Sequence, residues 1–198
     1  MQNKTPSKLF PPNGEKKVLL HSCCAPCSGN ILERMVDSEI DITVFYYNPN
    51  IYPQDEYEQR KKENKIFALK LNIPFIDADY DQSNWLDQVQ GMENEPERGK
   101  RCSKCFDIRM QKSAQFANEN GFNIFATSLG ISRWKDLSQV NNSGITAAKA
   151  YTTLTFWDFN WRKEGGSILM YETSQRERFY RQKYCGCMFS LQSIKTRI

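Results

Sequence analysis

Seven cysteines, gathered in three short groups, are the residues of this 198-residue chain with the clearest chemical potential. The groups are Cys23, Cys24 and Cys27; Cys102 and Cys105; and Cys185 and Cys187. Cysteines that only fill a hydrophobic core would be expected singly, at scattered apolar positions. Because thiolates bind zinc, hold iron–sulfur clusters and exchange disulfides, the grouping favours a metal or redox site assembled from distant parts of the chain.

The spacing of the cysteines leaves the kind of site open. Cys24-x-x-Cys27 and Cys102-x-x-Cys105 are both spaced as metal-ligand pairs, but more than seventy residues separate them. Structural zinc sites usually bring two such pairs within about 20 residues, whereas an iron–sulfur cluster only needs thiolates that the fold brings together. Cys185-Gly186-Cys187 could supply further ligands or form a readily reduced disulfide. We favour the redox pair, because the other cysteines already suffice for a cluster.

The elements around the first cysteine group indicate how it is positioned. An apolar run at residues 18–21 predicts a strand, and residues 30–36 predict a helix after it. Further strands are predicted at 41–47, 74–77 and 123–128, and helices at 55–71, 80–90, 101–120 and 138–150. This alternation indicates an α/β protein with a parallel sheet flanked by helices, whose ligands bind at the carboxyl ends of the strands. The cysteine-bearing C-terminal segment is expected to cover that edge.

Composition limits the remaining organisation of the chain. Residues 1–16 contain three prolines and predict a flexible leader, followed by a single domain over residues 17–198. There is no apolar run of the ~18 residues that a membrane helix needs, and no apolar segment typical of a secretory signal. Cysteines without such a signal argue against a disulfide framework. We therefore expect a cytoplasmic protein with no membrane partner.

Positive charge flanks the second and third cysteine groups. The net charge of +4 is modest, but basic residues concentrate at 98–112 and 176–198. This placement predicts a polyanionic substrate, although for any single residue an ordinary solvated helix face is the alternative. Aromatic residues near the predicted loops, including Trp134 and Tyr184, could stack on an exposed base. His21 is the only histidine and is expected to be packed rather than catalytic.

Four motifs in order along the chain resemble the QueH family of epoxyqueuosine reductases. They are HSCCAPCS at residues 21–28, FYYNPNI at 45–51, RCSKC at 101–105 and YRQKYCGC at 180–187. The resemblance implies a Rossmann-like fold of the HUP type. It also implies the last step of queuosine synthesis, in which the epoxide of epoxyqueuosine at the wobble position of tRNA is removed, with no need for cobalamin.

The same resemblance implies roles for particular residues. A [4Fe-4S] cluster would be held by Cys23, Cys24, Cys102 and Cys105, with Cys185 and Cys187 as a redox-active pair. Cys27 or a nearby carboxylate would be a ligand of a possible second, mononuclear iron. The residues expected to hold the tRNA are Arg101, Lys104, Arg181, Lys183 and Tyr184. The reduction also requires an external electron donor.

Two other functions are compatible with parts of the sequence. A zinc-stabilised RNA-binding module would use four of the thiols and leave the others without a purpose. A thiol–disulfide oxidoreductase would use Cys24-x-x-Cys27 after the first strand, and the basic segments would then have no role.

Overall fold

The computed structural model describes residues 7–195. Five parallel strands form one sheet in the order β3-β2-β1-β4-β5. The strands are β1 (Lys17–His21), β2 (Asp41–Tyr46), β3 (Phe75–Asp77), β4 (Ile124–Thr127) and β5 (Thr155–Phe156). The chain adds strands outward from β1 to β3 on one side of the sheet and then from β4 to β5 on the other, which is the order of a Rossmann-like sheet. The predicted parallel α/β architecture is confirmed.

Seven helices complete the described part of the chain. They are α1 (Ala25–Asp37), α2 (Gln54–Lys70), α3 (Gln82–Gln88), α4 (Lys100–Glu119), α5 (Leu137–Ala148), α6 (Gly166–Arg176) and α7 (Met188–Lys195). Helix α1 packs against α2 and α6, and helix α4 packs against α3 and α5. The two helix groups lie on the two faces of the sheet, as right-handed crossovers between parallel strands require.

The two central strands, β1 after its exposed first residue and the whole of β4, are buried, which explains their sequences. In β1, Val18, Leu19 and Leu20 have no exposed surface, and every residue of β4 is buried. A parallel strand covered on both faces is an almost continuous apolar run rather than an alternating one. The register aligns His21 with Phe45 of β2 and Thr127 of β4. The residues that follow these strands therefore meet at one edge of the sheet, between β1 and β4.

The start of α1 differs from the prediction. The helix begins at Ala25, five residues earlier than residue 30, and Pro26 lies in its first turn. Proline is well tolerated there, because the first N–H groups of a helix have no partner within the helix. Cys27 therefore lies on a helix and not in a turn.

The described part of the predicted leader packs on the domain. Leu9 is buried, and its N–H donates to Ser38 Oγ at 2.9 Å. Lys8 pairs with Glu39 at 3.6 Å. These contacts argue against a free leader over residues 7–16, whereas residues 1–6 lie outside the described part of the chain. A single domain over residues 17–198 stays a prediction.

The C-terminal segment crosses the carboxyl edge of the sheet, as expected. After α6, the chain runs past the loop that follows β2, where the N–H of Tyr52 donates to the carbonyl of Gly186 at 2.8 Å. It then enters α7, which the sequence analysis did not anticipate. Between residues 7 and 195, no helix is both long enough and apolar enough to cross a membrane.

Gly144 allows α5 to pack closely against β5, which generates a test of the fold. A Cβ atom at this position would lie 2.5 Å from the ring of Phe156. Replacing Gly144 with Val should lower the free energy of unfolding by about 1–3 kcal/mol, although valine is the better helix former.

Urea denaturation measures this effect, and Thr146→Val, at an exposed position of the same helix, is the matched control. The control should change stability by no more than about 0.5 kcal/mol. Equal effects of the two substitutions would contradict the close packing of α5 on β5.

Candidate metal centre

Three thiols meet where β1 passes into α1. Cys24 is the N-cap residue of α1 and Cys27 lies in its first turn. The Sγ atoms of Cys23 and Cys24 are 3.8 Å apart, and all three Sγ atoms lie within 4.8 Å of one another. All three side chains are buried. Across residues 7–195, this is the one group of at least three His, Cys, Asp or Glu side chains that close together.

Ser128 and Asn64 fix the turn that carries these thiols. Ser128, directly after β4, accepts from the N–H of Cys23 at 3.2 Å and donates to its Sγ at 3.5 Å. Asn64 of α2 is buried beneath the turn. With its amide oriented to pair donors with acceptors, its oxygen accepts from the N–H groups of Cys24 and Ala25 at 3.2 Å. Asn64 thereby satisfies helix-terminal N–H groups that would otherwise lack a partner.

The three thiols differ in pKa. Hydrogen bonds from Cys24 and Cys27 lower the pKa of Cys23 well below its usual value. The hydrogen bond to Cys23, together with burial, raises the pKa of Cys24 to about 12, and hydrogen bonds to Cys23 and Cys24 raise that of Cys27. Cys23 is therefore the thiol of the group that ionises most readily. Because thiolates are the form that binds metals, loading the site must release protons from the other two.

His21 is structural, as the sequence predicted. Its side chain is fully buried, with Nδ1 2.8 Å from Thr127 Oγ1 and Nε2 3.0 Å from the carbonyl of Tyr47. Because a carbonyl only accepts, Nε2 carries the proton and donates it. Burial, aided by the charge of Arg109, lowers the pKa of His21 to about 4. The ring is therefore neutral and links β1 to its neighbours.

The second cysteine pair lies in the first turns of α4. Cys102 is half-buried, and its Sγ accepts from the N–H of Arg98 at 3.2 Å. Cys105 is buried. Burial raises the pKa of both thiols. Both are therefore protonated near neutral pH unless a metal or another cation draws the proton off.

The C-terminal cysteine pair, Cys185 and Cys187, lies beside the second pair, Cys102 and Cys105. All seven cysteines are free thiols in this structure, so the expected redox pair is in its dithiol form, with Cys185 exposed and Cys187 half-buried. Burial and the neighbouring Cys185 raise the pKa of Cys187 to about 12. After burial, the neighbouring Cys185 also contributes to the raised pKa values of Cys102 and Cys105. The fold therefore brings the second and third groups into one neighbourhood.

Two cations face these thiols. The side chain of Arg109 is 3% exposed, and its Nε donates to the carbonyl of Cys105 at 3.1 Å. Burial disfavours the charge of Lys135, but the sulfurs of Cys185, Cys23 and Cys27 outweigh burial and raise its pKa. Within the described residues, neither side chain pairs with a carboxylate. Lys135 thus links the first thiol group electrostatically to the C-terminal pair.

This donor set fits a soft, anionic metal group. The ligands that converge are sulfur atoms, and the neighbouring side chains are positive rather than carboxylates. Thiolates select zinc, copper(I) or iron–sulfur clusters, whereas magnesium and calcium require oxygen ligands. A cluster held by four thiolates is a net anion, which Arg109 and Lys135 would balance.

Arg60 holds the C-terminal segment against α2, a role that the sequence did not reveal. Its guanidinium is 3% exposed, pairs with Glu56 at 2.7 Å, and donates to the carbonyls of Cys185 and Tyr184 at 3.1 and 3.3 Å. It also lies 5.3 Å from the centre of the Tyr184 ring. Nothing in the charged sequence of α2 distinguishes Arg60 from its neighbours.

Gln182 connects the same segment to the first thiol group. Its Nε2 donates to Cys24 Sγ at 3.1 Å, so residues 180–187 contact both neighbourhoods of sulfur. Nothing in the sequence distinguishes this residue as a contact of sulfur, although it lies inside the YRQKYCGC motif.

Two of the predicted tRNA-binding residues make polar contacts within the protein, and one of them, Arg101, is buried. Arg101 is buried, and its Nη1 donates to the carbonyls of Met92 and Glu93 at 2.9 and 2.8 Å. The hydroxyl of Tyr184 donates to the carbonyl of Tyr52. Arg101 is therefore engaged with the backbone before α4, whereas a direct contact of the half-buried Tyr184 ring with RNA stays a prediction.

The other three predicted tRNA-binding residues remain accessible. Arg181 and Lys183 are exposed, and the guanidinium of Arg181 lies 5.0 Å from the centre of the Tyr171 ring. Lys104 is half-buried on α4. These three side chains are free to reach a polyanion.

Fold and site together define a Rossmann-like α/β protein with a sulfur-rich centre at the switch point of its sheet. A solved structure with a similar fold is the U34-tRNA thiolase NcsA from Methanococcus maripaludis with its [4Fe-4S] cluster. The likeness covers 91% of this chain and 63% of that one, with a TM-score of 0.53 and 12% identity. At that identity the likeness establishes the fold alone, and it confirms the expected HUP-like architecture.

Sequence comparison establishes the family. Residues 18–193 match the family model described as epoxyqueuosine reductase QueH. A protein named epoxyqueuosine reductase QueH from Histophilus somni is 59% identical over 184 residues, which are 93% of this chain and 76% of that protein. Its namesake from Haemophilus influenzae is 58% identical over 93% of this chain and 75% of its own length. The chain belongs to the QueH family.

The position of Arg60 predicts a local effect on the C-terminal segment. Charge-assisted hydrogen bonds contribute about 1.5–3 kcal/mol each, so Arg60→Met should loosen the segment without unfolding the sheet. Amide hydrogen exchange should accelerate by about 10-fold or more at Tyr52, whose N–H is protected by Gly186.

Lys62→Met is the matched control, because Lys62 is exposed on the same helix. It should leave the exchange rate at Tyr52 unchanged. If Arg60→Met also leaves this rate unchanged, Arg60 does not fasten the segment.

Proposed function

We propose that this protein reduces the epoxide of epoxyqueuosine in tRNA to the alkene of queuosine, with a [4Fe-4S] cluster at the sulfur-rich centre. Its membership of the QueH family identifies the chain as an oxidoreductase of queuosine biosynthesis. The observation that carries the proposal is the convergence of remote cysteine groups around Lys135 at the carboxyl edge of the sheet. Since the substrate is a tRNA, we also propose a cytoplasmic location.

The proposed ligands of the cluster are Cys23 and Cys24 from the first group and Cys102 and Cys105 from α4. The Sγ atom of Cys27 lies within 4.8 Å of those of Cys23 and Cys24. We assign it to a second, mononuclear iron beside the cluster. When bound, iron of this kind supplies single electrons and a Lewis acid for the epoxide oxygen. Protein groups must then complete the electron pair and supply protons.

Cys185 and Cys187 have the chemistry to complete the reaction. Removing the epoxide oxygen as water consumes two electrons and two protons, which is what a dithiol releases when it forms a disulfide. The sulfur–sulfur bond forms, both carbon–oxygen bonds break, and a donor outside the chain must restore the dithiol. The free thiols of the structure represent the state ready for this step.

The tRNA must present its wobble base to this edge. Anticodon-loop bases are accessible because they can be unstacked from the loop. Lys104, Arg181 and Lys183 are the accessible cations of the original prediction, and we propose that they contact phosphates. Arg101 would act from within the protein, by fixing the backbone before α4, and the half-buried Tyr184 stays a proposed contact of the RNA.

The direct test is conversion of the modified nucleoside. Protein purified without oxygen is incubated with a reductant and tRNA that carries epoxyqueuosine, and the digested nucleosides are analysed by mass spectrometry. A loss of one oxygen atom, giving queuosine, is expected. Iron-loaded protein that leaves the epoxide intact with several reductants would refute the function.

Substitution of individual cysteines separates the proposed roles. Cys102→Ser should lose the visible absorption of the cluster, whereas Cys187→Ser should keep it and lose turnover. Cys27→Ser should retain sulfide but lower the iron-to-sulfide ratio to that of the cluster alone. A Cys187→Ser variant that loses the cluster would show that the thiols are divided differently.

The positive charge of Lys135 should raise the midpoint potential of the centre. Reduction adds negative charge, which a neighbouring ammonium stabilises, so Lys135→Met should lower the midpoint potential. A shift on the order of 50 mV corresponds to a little over 1 kcal/mol for a one-electron couple. Lys149→Met, at an exposed lysine beyond α5, is the control and should leave the potential unchanged. Equal midpoint potentials in the two variants would show that Lys135 lies too far from the centre to influence its potential.

One observation favours a second candidate, a zinc-stabilised RNA-binding module. The 3.8 Å between the sulfurs of Cys23 and Cys24 equals the edge of a tetrahedron around a metal with bonds of about 2.3 Å, as in zinc sites. Zinc as the sole metal, with RNA binding but no reduction, would favour this candidate.

A further inference from the structure

Trp134 is a large aromatic side chain left in solvent at the edge of the candidate centre. It is 70% exposed, whereas the three other tryptophans, Trp85, Trp157 and Trp161, are at most 5% exposed. It lies on the loop of residues 132–135, which follows β4 and its 3-10 turn. Arg133, directly before it, and Asp136, two residues after it, are exposed and charged. The ring is therefore not part of a larger apolar patch.

Two arginines hold this loop in place through its backbone. Arg98 donates to the carbonyls of Trp134 and Arg133 at 3.0 and 3.1 Å. Arg162 donates to the carbonyls of Ser132 and Lys135 at 2.6 and 2.9 Å. Because these contacts fix the backbone without covering the indole, the ring is presented on a preorganised support.

The same contacts place the loop beside the thiols. Arg98, which braces Trp134, also donates its N–H to Cys102 Sγ at 3.2 Å. Lys135, the next residue, lies within electrostatic reach of Cys185 and Cys23. The exposed ring therefore stands next to the place where the substrate must react.

The charges around the ring indicate what it binds. The guanidinium of Arg133 lies 4.8 Å from the centre of the Trp134 ring, and Arg98 is also exposed. An aromatic ring with cations at its side is the arrangement that holds single-stranded nucleic acid, since bases stack on the ring and phosphates pair with the cations. An apolar protein surface or a lipid would require a contiguous apolar patch, which this charged loop lacks.

We propose that Trp134, together with Arg133, stacks on an unpaired nucleotide of the tRNA anticodon loop that neighbours the modified base. The neighbouring nucleotide would be held outside the loop while the modified base enters the centre. This inference rests on the proposed function for the identity of the RNA. Trp134 is a binding residue for the RNA and takes no part in the reduction.

The test measures the binding of iron-loaded protein to an anticodon stem-loop RNA that carries epoxyqueuosine. Base–aromatic stacking is lost on substitution by alanine, so Trp134→Ala should weaken binding by about 10-fold or more, and Trp134→Phe should retain most of the affinity. Phe10→Ala is the matched control, because Phe10 is 81% exposed on the segment before β1. It should bind as the wild type does.

Two readouts distinguish stacking from a general loss of structure. Because Trp134 is the exposed tryptophan, added acrylamide should quench its fluorescence, and the RNA should protect it. Removing the base next to the modified nucleotide should weaken binding of the wild type, with little further loss in Trp134→Ala. Additive losses, or equal binding by Trp134→Ala and Phe10→Ala, would overturn the inference.

The outcome is separable from that of the proposed function. If the wild type reduces epoxyqueuosine in tRNA and Trp134→Ala binds equally well, the function stands and the stacking role is refuted. If the wild type binds the RNA through Trp134 but produces no queuosine, the stacking role stands and the proposed reaction fails. A wild type that binds no RNA overturns the stacking role outright.

Discussion

The attraction between the buried thiols and two neighbouring cations, the buried Arg109 and the half-buried Lys135, is the interaction on which the centre depends. A thiolate in an apolar interior is costly, and so is an arginine or a lysine without a counter-ion. Arg109 and Lys135 have no carboxylate partner within the described residues, and the thiols are the groups that they face. The attraction between the thiolates and the cations offsets part of the free-energy cost of burying each of them. The arrangement suits an anionic metal group better than neutral thiols.

The fold provides this arrangement through its strand order. The carboxyl ends of β1 and β4 lie side by side, Cys23 follows β1 after one intervening residue, and Ser128 follows β4 directly. Chain order reverses between these strands, so the connecting segments leave in opposite directions and open a crevice. The C-terminal segment then closes the crevice from above, held by Arg60 and by Gln182. The centre is thus completed by a part of the chain far from β1 in sequence.

Much of the architecture could be predicted from the sequence, because its signals are local. The apolar run before Cys23 and the strand–helix alternation gave the parallel sheet, and the isolated histidine was correctly expected to be packed. The start of α1 was missed, since Pro26 is as compatible with a helical first turn as with a loop. The cysteine clusters identified a metal or redox site, but not how seven thiols divide between ligands and an electron-carrying pair.

The residues that position the centre could not be predicted from the sequence, and the reason is physical. Arg60, Arg109 and Lys135 look like any other surface cation, and only tertiary packing reveals that they are turned inward. Arg101 illustrates the converse, because a basic residue beside two cysteines was expected to meet phosphate and instead supports the backbone of Met92 and Glu93. The charge of a residue can be read from the sequence, whereas the direction of its side chain cannot.

The content of iron and acid-labile sulfide in protein purified without oxygen tests this account most directly. We predict that both are present, with iron in excess of sulfide if the second metal is bound and equal to it if only the cluster is. Protein that contains zinc and no sulfide, and that cannot be reconstituted with iron and sulfide, would contradict the account.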